Sequence, residues 1–167
     1  MATKQWNVGD VLTASDMNVW TVPIAVFKPS DTARNTTTTL TADPDLVIAV
    51  AANTVYDVRI VLRYKGGANG SSDAQFQVNV PSGSTGFYMI QRINISGLAV
   101  GFTDSGFGSP VNAGTNGTGN TEQAIITASV NTSSTAGNIT LLWAQNTSSG
   151  TNTTVMANSF MVAQRIG

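Results

Sequence analysis

The acidic side chains are the first candidates for chemistry in this sequence of 167 residues. They are Asp10, Asp16, Asp31, Asp43, Asp45, Asp57, Asp73, Asp104 and Glu122. A glycosidase needs two carboxylates flanking a sugar bond, and no pair among these stands out. Asp43 and Asp45, in the stretch TADPDL, could provide oxygen ligands for a hard cation. We prefer an Asp-Pro turn ahead of a strand, because Asp-Pro favours the start of a turn.

Other catalytic groups are missing from the sequence. It contains no histidine, which is the commonest general base and metal ligand. It contains no cysteine, which excludes disulfides and thiolate metal sites. The glycine-rich stretch GTNGTGNT lies between strand patterns and opens no helix, so it lacks the context of a phosphate loop. We therefore expect a protein that is not an enzyme and that has no cofactor and no metal.

Net charge and hydropathy exclude some classes of binding partner. The net charge is −1 and 10% of the residues are charged, so no basic field attracts nucleic acid or an acidic membrane surface. No apolar stretch is long enough to cross a bilayer, and the N-terminus lacks the apolar segment of a signal peptide. We expect synthesis in the cytoplasm, with neither nucleic acid nor a membrane as a partner.

The elements that position these side chains are predicted to be strands. Thr, Asn, Ser and Gly are abundant, and these residues favour strands and turns. In VYDVRIVLRYK, residues 55–65, large apolar side chains alternate with a second set, which is typical of a half-buried strand. We interpret its polar face, with Asp57, Arg59 and Arg63, as solvated, and an ion pair between subunits is the alternative. About eight to ten such runs separated by turn signals predict the all-β class, an antiparallel jelly-roll sandwich.

The other predicted strands are residues 36–40, 46–51, 74–80, 87–95, 98–102, 123–130, 138–146 and 153–166. A turn-rich stretch, KGGANGSSD, predicts a hairpin between residues 55–65 and 74–80. The longest gap, residues 104–121, is either a flexible loop or an ordered binding loop. Rigid sandwiches often carry their binding residues on loops. The side chains of this loop that could bind a sugar are therefore candidate binding residues. They are Phe107, Asn112, Asn116 and Asn120.

The last run, TTVMANSFMVAQRI, is apolar or small on both faces. Phe160 and Val162 fall on one face, and Met161 and Ala163 fall on the other. A strand that is apolar on both faces is covered on both. Because a two-layer sandwich covers only one face, we expect an oligomer to cover the other.

The first 30 residues differ from the rest. In WNVGDVLTASDMNVW, Thr13 precedes Asp16 by three residues, which is a helix-start signature. It predicts a short helix from about Ala14 to Val19, or else an extended anchor. We assign residues 1–24 to an N-terminal anchor segment and residues 25–167 to the jelly-roll domain. The segment either packs on its own domain or anchors the chain to a larger partner, since tryptophan is enriched at the energetic centres of interfaces. The anchoring candidates are Trp6, Leu12, Met17 and Trp20.

Both ends of the sequence resemble known virion proteins. Trp143, Ala144 and Gln145, followed by Ser159, Phe160 and Met161, resemble the ending of tumour-necrosis-factor-like and complement-globular-head jelly rolls and of similar phage proteins. The opening is similar to the start of many tailed-phage structural proteins, and VNVPSGSTG resembles a strand and turn in them. The matching residues in the opening are Trp6, Gly9, Asp10, Leu12, Thr13, Ala14, Asp16, Met17 and Asn18.

The resemblance implies a homotrimer in which apolar sheet faces pack around a threefold axis near the last strand. It implies a non-enzymatic structural protein on the virion surface of a tailed phage, a capsid decoration protein that stabilises the particle. Its partners would be copies of itself and the major capsid protein or a tail protein. The alternative is a minor tail or receptor-binding protein that binds a host surface glycan, and a cellular carbohydrate-binding module is a weaker third. The residues expected at the trimer interface are Trp143, Phe160, Met161 and Val162.

Overall fold

A computed structural model describes residues 7–11, 13, 14, 16, 22–67, 73–93 and 100–167. Within these residues the chain is all-β, as predicted, and no helix is long and apolar enough to cross a membrane. The strands are β1 (Ile24–Phe27), β2 (Thr32–Arg34), β3 (Thr41–Val50), β4 (Val55–Lys65), β5 (Ala74–Asn79), β6 (Thr85–Ile93), β7 (Val100–Ser105), β8 (Val111–Ala113), β9 (Glu122–Asn131), β10 (Gly137–Gln145), β11 (Thr153–Val155) and β12 (Phe160–Arg165).

The strands form two antiparallel sheets. The larger sheet has the order β1-β12-β4-β9-β6-β7, with β11 beside β4 and β2 beside β11. The smaller sheet has the order β3-β10-β5-β8. The pairs are nested: β1 pairs with β12, β3 with β10, β4 with β9, and β5 with β8. A long hairpin rolled up over two sheets has this nesting, so the predicted antiparallel jelly-roll sandwich is confirmed.

The core lies between the sheets and follows the alternation in the sequence. In β4, the inward side chains from Tyr56 to Tyr64 are at most 4% exposed. Leu141 and Trp143 of β10 belong to the same buried cluster. Burying one large apolar side chain fully stabilises the fold by about 1.5–3 kcal/mol. The alternation therefore explains which face of each strand points inward.

The hairpin expected between residues 55–65 and 74–80 is wrong. β4 pairs with β12 and β9 in the larger sheet, whereas β5 pairs with β10 and β8 in the smaller one. The connection between them therefore crosses from one sheet to the other. Both strands point their apolar residues into the same core. Their alternation of apolar and polar residues therefore looks the same as that of two strands paired in a hairpin.

The bounds of other elements also differ from the prediction. Residues 153–166 are not one strand, because a turn with Asn158 at a φ of 65° separates β11 from β12. Asparagine tolerates this left-handed conformation better than most residues. The expected loop at residues 104–121 contains β8, which pairs with β5 and orders that stretch. Residues 36–40 are not a strand, and β1 and β2 were not predicted, so the described residues hold 12 strands.

The N-terminal segment contains the predicted helix start. Thr13 Oγ1 accepts the N–H of Asp16 at 3.1 Å, and Asp16 Oδ2 accepts the N–H of Thr13 at 3.2 Å. These reciprocal bonds are those of a capping box, and Ala14 and Asp16 have helical conformation. The remainder of the expected helix lies outside the described residues. The division of the chain after residue 24 stays a prediction.

Candidate interaction surface

The outer face of the larger sheet carries one row of side chains in register. In each of the strands β1, β12, β4, β9, β6 and β7, one residue of the row stands opposite the next across the sheet. Their neighbours along each strand point the other way, because side chains alternate in a strand. These residues are Phe27, Phe160, Val61, Ile125, Gln91 and Phe102, and we call them the outer row.

Exposure varies along the outer row. Phe27 and Phe102, at its ends, are 67% and 64% exposed. Phe160 and Ile125 are half-buried, and Val61 between them is only 6% exposed because they flank it in register. The outer row is therefore an apolar strip with one glutamine in it, covered at its centre and open at both ends.

The surroundings of the outer row are mixed. On β4, the next outward residues are Arg59 and Asp57, and both are exposed. On β6 and β7, apolar side chains extend the strip: Phe87 is 57% exposed, Met89 37% and Val100 58%. An apolar centre with a polar rim is the usual anatomy of a protein–protein interface.

The four residues expected at a trimer interface divide between the two faces. Phe160 and Val162 lie half-buried on the outer face of β12. Trp143 and Met161 are 0% exposed within a single chain, so their side chains have no surface to offer a partner. The expectation is corrected for these two, whose apolar character is explained by packing in the core of their own subunit. The roles of Phe160 and Val162 stay predictions.

Trp143 joins three strands at one end of the core. Its indole Nε1–H donates to Asp43 Oδ2 at 3.0 Å, and the Arg34 guanidinium lies 4.0 Å from the ring centroid. Arg34 also donates to the carbonyl oxygens of Thr41 at 3.0 Å, of Ala42 at 2.8 Å, and of Trp143. Burial lowers the pKa of Arg34, and the negative charge of Asp43 opposes that change. The arrangement holds β2 against β3 and β10.

Asp43 and Asp45 face a lysine. The ammonium of Lys28 is 3.1 Å from Asp43 Oδ1 and 2.8 Å from Asp45 Oδ2. β3 continues through both residues, so the expected Asp-Pro turn before the strand is wrong. Asp43 Oδ1 still accepts the N–H groups of Asp45 and Leu46, as turn-forming aspartates do. Among the described residues, no group of three or more acidic, histidine or cysteine side chains is placed to hold a metal.

The loop candidates have separate surroundings. Phe107 stacks on Tyr88 with ring centroids 6.4 Å apart and packs against the core. Asn112 is half-buried in β8, opposite Gln75. The side-chain amide of Asn120 donates to the carbonyl of Asn116. The structure therefore joins only the last two of the four, by a hydrogen bond. The anchoring candidates Trp6, Leu12, Met17 and Trp20 lie outside the described residues.

A polar recess of about 380 Å³ lies where β2, β4 and β11 meet. Two of its side chains are held by hydrogen bonds: Asp31 Oδ1 accepts the N–H of Ala157 at 2.8 Å, and Asn152 Oδ1 accepts from Asn35 Nδ2 at 2.8 Å. Sequence reasoning missed this recess because its residues are far apart in the chain. They are Asp31, Ala33, Lys65, Thr118, Asn152 and Thr154.

Comparisons with known proteins give distant structural matches. No family model and no curated protein matches the chain. It is similar to the tripod (BppUct-A-L) from the baseplate of bacteriophage Tuc2009, with a TM-score of 0.36, 11% identity, and coverage of 98% of this chain and 78% of that chain. It is also similar to a chain of the infectious bursal disease virus Gx strain, with a TM-score of 0.23, 10% identity, and coverage of 87% of this chain and 40% of that one. Superpositions this loose carry no argument about fold or function.

Proposed function

We propose that this chain is a non-enzymatic structural protein of a tailed-phage virion, a homotrimer that decorates the capsid surface and stabilises the particle. The resemblance of the opening and closing stretches to tailed-phage structural proteins supports a place in the virion. The outer row supports the self-association. Residues 1–24 would attach each subunit to the particle, and simultaneous attachment of several subunits strengthens weak individual contacts.

The outer row is the observation that carries the proposal. It crosses six strands of the larger sheet and ends in two exposed phenylalanines. Soluble monomers rarely expose contiguous apolar patches above a few hundred Å². An ordinary interface buries about 800 Å² on each partner, somewhat more than half of it apolar, which gives roughly 20 kcal/mol of gross stabilisation for the two sides together. Costs of association offset much of this, so a trimer of moderate stability is expected.

Light scattering of the purified full chain tests the trimer. The expected mass is about three times the 17.3 kDa of one chain, and a stable monomer at micromolar concentration contradicts the proposal. Ile125→Asp is expected to dissociate the trimer, because it places an unpaired charge in the covered strip. Leu142→Asp is the matched control: Leu142 is also half-buried, but on the outer face of the smaller sheet, and its trimer is expected to persist.

Labelling of intact particles tests the location. A label over the head supports the decoration protein, and a label confined to the tail contradicts it. Deletion of residues 1–24 is expected to abolish attachment and to leave a folded domain. A truncated protein that still attaches would reject the anchor.

The polar recess favours a second candidate function, a tail protein that binds a host surface glycan. Lys65, Asn152 and Thr154 present donors and acceptors of the kind that bind sugar hydroxyls. A glycan array tests it, with Asn152→Ala in the recess and Asn138→Ala, at an exposed position of β10, as the matched control. Binding that only Asn152→Ala removes supports the recess, and an array without binding contradicts this candidate.

A further inference from the structure

A fully buried lysine lies between two carboxylates that belong to the opposite sheet. Lys28 directly follows β1 of the larger sheet, and Asp43 and Asp45 lie in β3 of the smaller sheet. Lys28 Nζ is 3.1 Å from Asp43 Oδ1 and 2.8 Å from Asp45 Oδ2. The side chains of Lys28 and Asp43 are 0% exposed, and that of Asp45 is 25% exposed. The cluster therefore meets solvent only at Asp45.

The two carboxylates have different surroundings. Asp43 accepts the indole N–H of Trp143 at 3.0 Å and the backbone N–H groups of Asp45 and Leu46 at 3.0 and 3.2 Å, besides the ammonium of Lys28. Hydrogen bonds of this kind fix the position of a carboxylate. Asp45 lies at the solvent side of the same ammonium. Asp43 is thus a rigid acceptor. Asp45 is the carboxyl group beside solvent, so water released from it could leave the site.

We propose that Lys28 and Asp45 condense into an isopeptide bond that joins the two sheets, with Asp43 as the proton carrier. A nucleophile, an electrophile and a base are all in hydrogen-bond contact in one site that is buried except at Asp45. Reacting groups held at contact distance react far faster than free ones, because no encounter is needed. A neutral amide removes the charges of Lys28 and Asp45, and the remaining carboxylate of Asp43 keeps the Trp143 indole and two backbone N–H groups as donors.

The reaction is a dehydration that needs no other reactant. One proton moves from Lys28 Nζ to Asp45 Oδ2 along their hydrogen bond, which leaves an amine and a carboxylic acid. The electron pair of Nζ attacks Asp45 Cγ, and Asp43 Oδ1 takes a second proton from Nζ. Asp43 returns this proton to the hydroxyl oxygen on Cγ, the bond from Cγ to that oxygen breaks, and water leaves towards solvent. The products are a neutral amide and the unchanged Asp43 carboxylate.

The bond would secure a short edge strand of the larger sheet. β1 has four residues, lies at the sheet edge and pairs only with β12 among the described strands. An amide from Lys28 to Asp45 ties the end of β1 to β3 covalently. If residues 1–24 are the anchor, a load on them reaches β1 first and passes through this bond into the smaller sheet.

The intact mass of the folded full chain tests the bond directly. The mass is expected to be lower than that of the sequence by one water molecule. Trypsin cuts after Arg34 and Arg59 but not at Lys28, which precedes proline, so residues 5–34 and 35–59 are expected as one joined product. A folded chain with the full sequence mass overturns the proposal. A lost water that maps to another residue, such as a cyclised aspartate, overturns it as well.

Variants separate the covalent bond from an ion cluster. Lys28→Arg keeps the positive charge without the amine, and Asp43→Asn removes the proton carrier, so both are expected to retain the full mass. Asp45→Asn is expected to lose ammonia instead of water and to reach the same final mass as the joined natural chain. Lys65→Arg, outside the cluster, is the control and is expected to lose water. Loss of water from the Lys28→Arg variant would overturn the assignment.

Discussion

Replacing Phe27 by serine tests whether the outer row is an interface between subunits. Phe27 is 67% exposed in one chain, so the change removes little burial within the subunit. Burying a phenylalanine fully is worth about 1.5–3 kcal/mol, so covering its exposed two thirds would add about 1–2 kcal/mol per site. Three sites per trimer give about 3–6 kcal/mol. Since about 1.4 kcal/mol corresponds to a factor of ten, the dissociation constant of the trimer is expected to rise by about two to four orders of magnitude.

The assay is native mass spectrometry over a dilution series, with the unfolding of the dissociated subunit measured separately. Met161→Ala is the matched comparison. Met161 directly follows Phe160, the residue opposite Phe27, but it is 0% exposed in the core. It is expected to lower the unfolding free energy by about 2–5 kcal/mol. Phe27→Ser is expected to change that free energy by less than about 0.5 kcal/mol.

Two results would refute this reasoning. An unchanged dilution curve for Phe27→Ser would mean that Phe27 stays in solvent in the assembly. A loss of subunit stability as large as that of Met161→Ala would mean that Phe27 supports the fold of its own chain. In either case the outer row would lose its interpretation as a subunit contact.

Three other changes test the fold and its titrating groups. Gly86→Ala is expected to lower the unfolding free energy by more than about 2 kcal/mol. Gly86 has a φ of 130°, and a Cβ there would lie 2.0 Å from the carbonyl oxygen of Ser129. A urea midpoint equal to that of the wild-type protein would contradict the pairing of β6 with β9. Trp143→Phe keeps an aromatic ring but removes the N–H group that donates to Asp43. The unfolding free energy measured by chemical denaturation is expected to fall by about 1–3 kcal/mol. An unchanged value would argue against that hydrogen bond. Burial raises the pKa of Tyr64 above its ordinary value of about 10, so the unfolded state releases the proton first and stability falls as the pH rises past about 10. Tyr64→Phe is expected to flatten that fall in the unfolding free energy, and an unchanged slope would assign it to other groups such as Tyr88, whose pKa burial also raises.

Individual strands could be predicted from the sequence more accurately than their partners. β4 has its predicted bounds, and those of β9 and β10 differ by one residue at each end, because the alternation is continuous there. The partners of a strand depend on which sheet it joins, and alternation is identical for both sheets. The expected hairpin of β4 with β5 failed for this reason. The turn at Asn158 was missed because the apolar alternation continues across it.

The candidate surface could be predicted only in part. Trp143 and Phe160 are both large apolar residues on strands, and their types do not distinguish the core from an outer face. Val61 belongs to the mostly polar face of β4, and alternation alone does not place it in an apolar row. Lys28 lies 15 residues before Asp43 in the sequence, and no local pattern signals that contact. These contacts arise from long-range pairing, which only the folded chain shows.

The position of β12 between β1 and β4 affects how the nascent chain can fold. During translation, residues 160–165 emerge from the ribosome after every strand that they join. Until then β1 lacks its partner and β4 has an open edge, and open strand edges invite aggregation. Pairing between distant parts of a chain is also slow. We therefore expect the larger sheet to close only after residues 160–165 have emerged, and chaperones that shield strand edges to raise the yield.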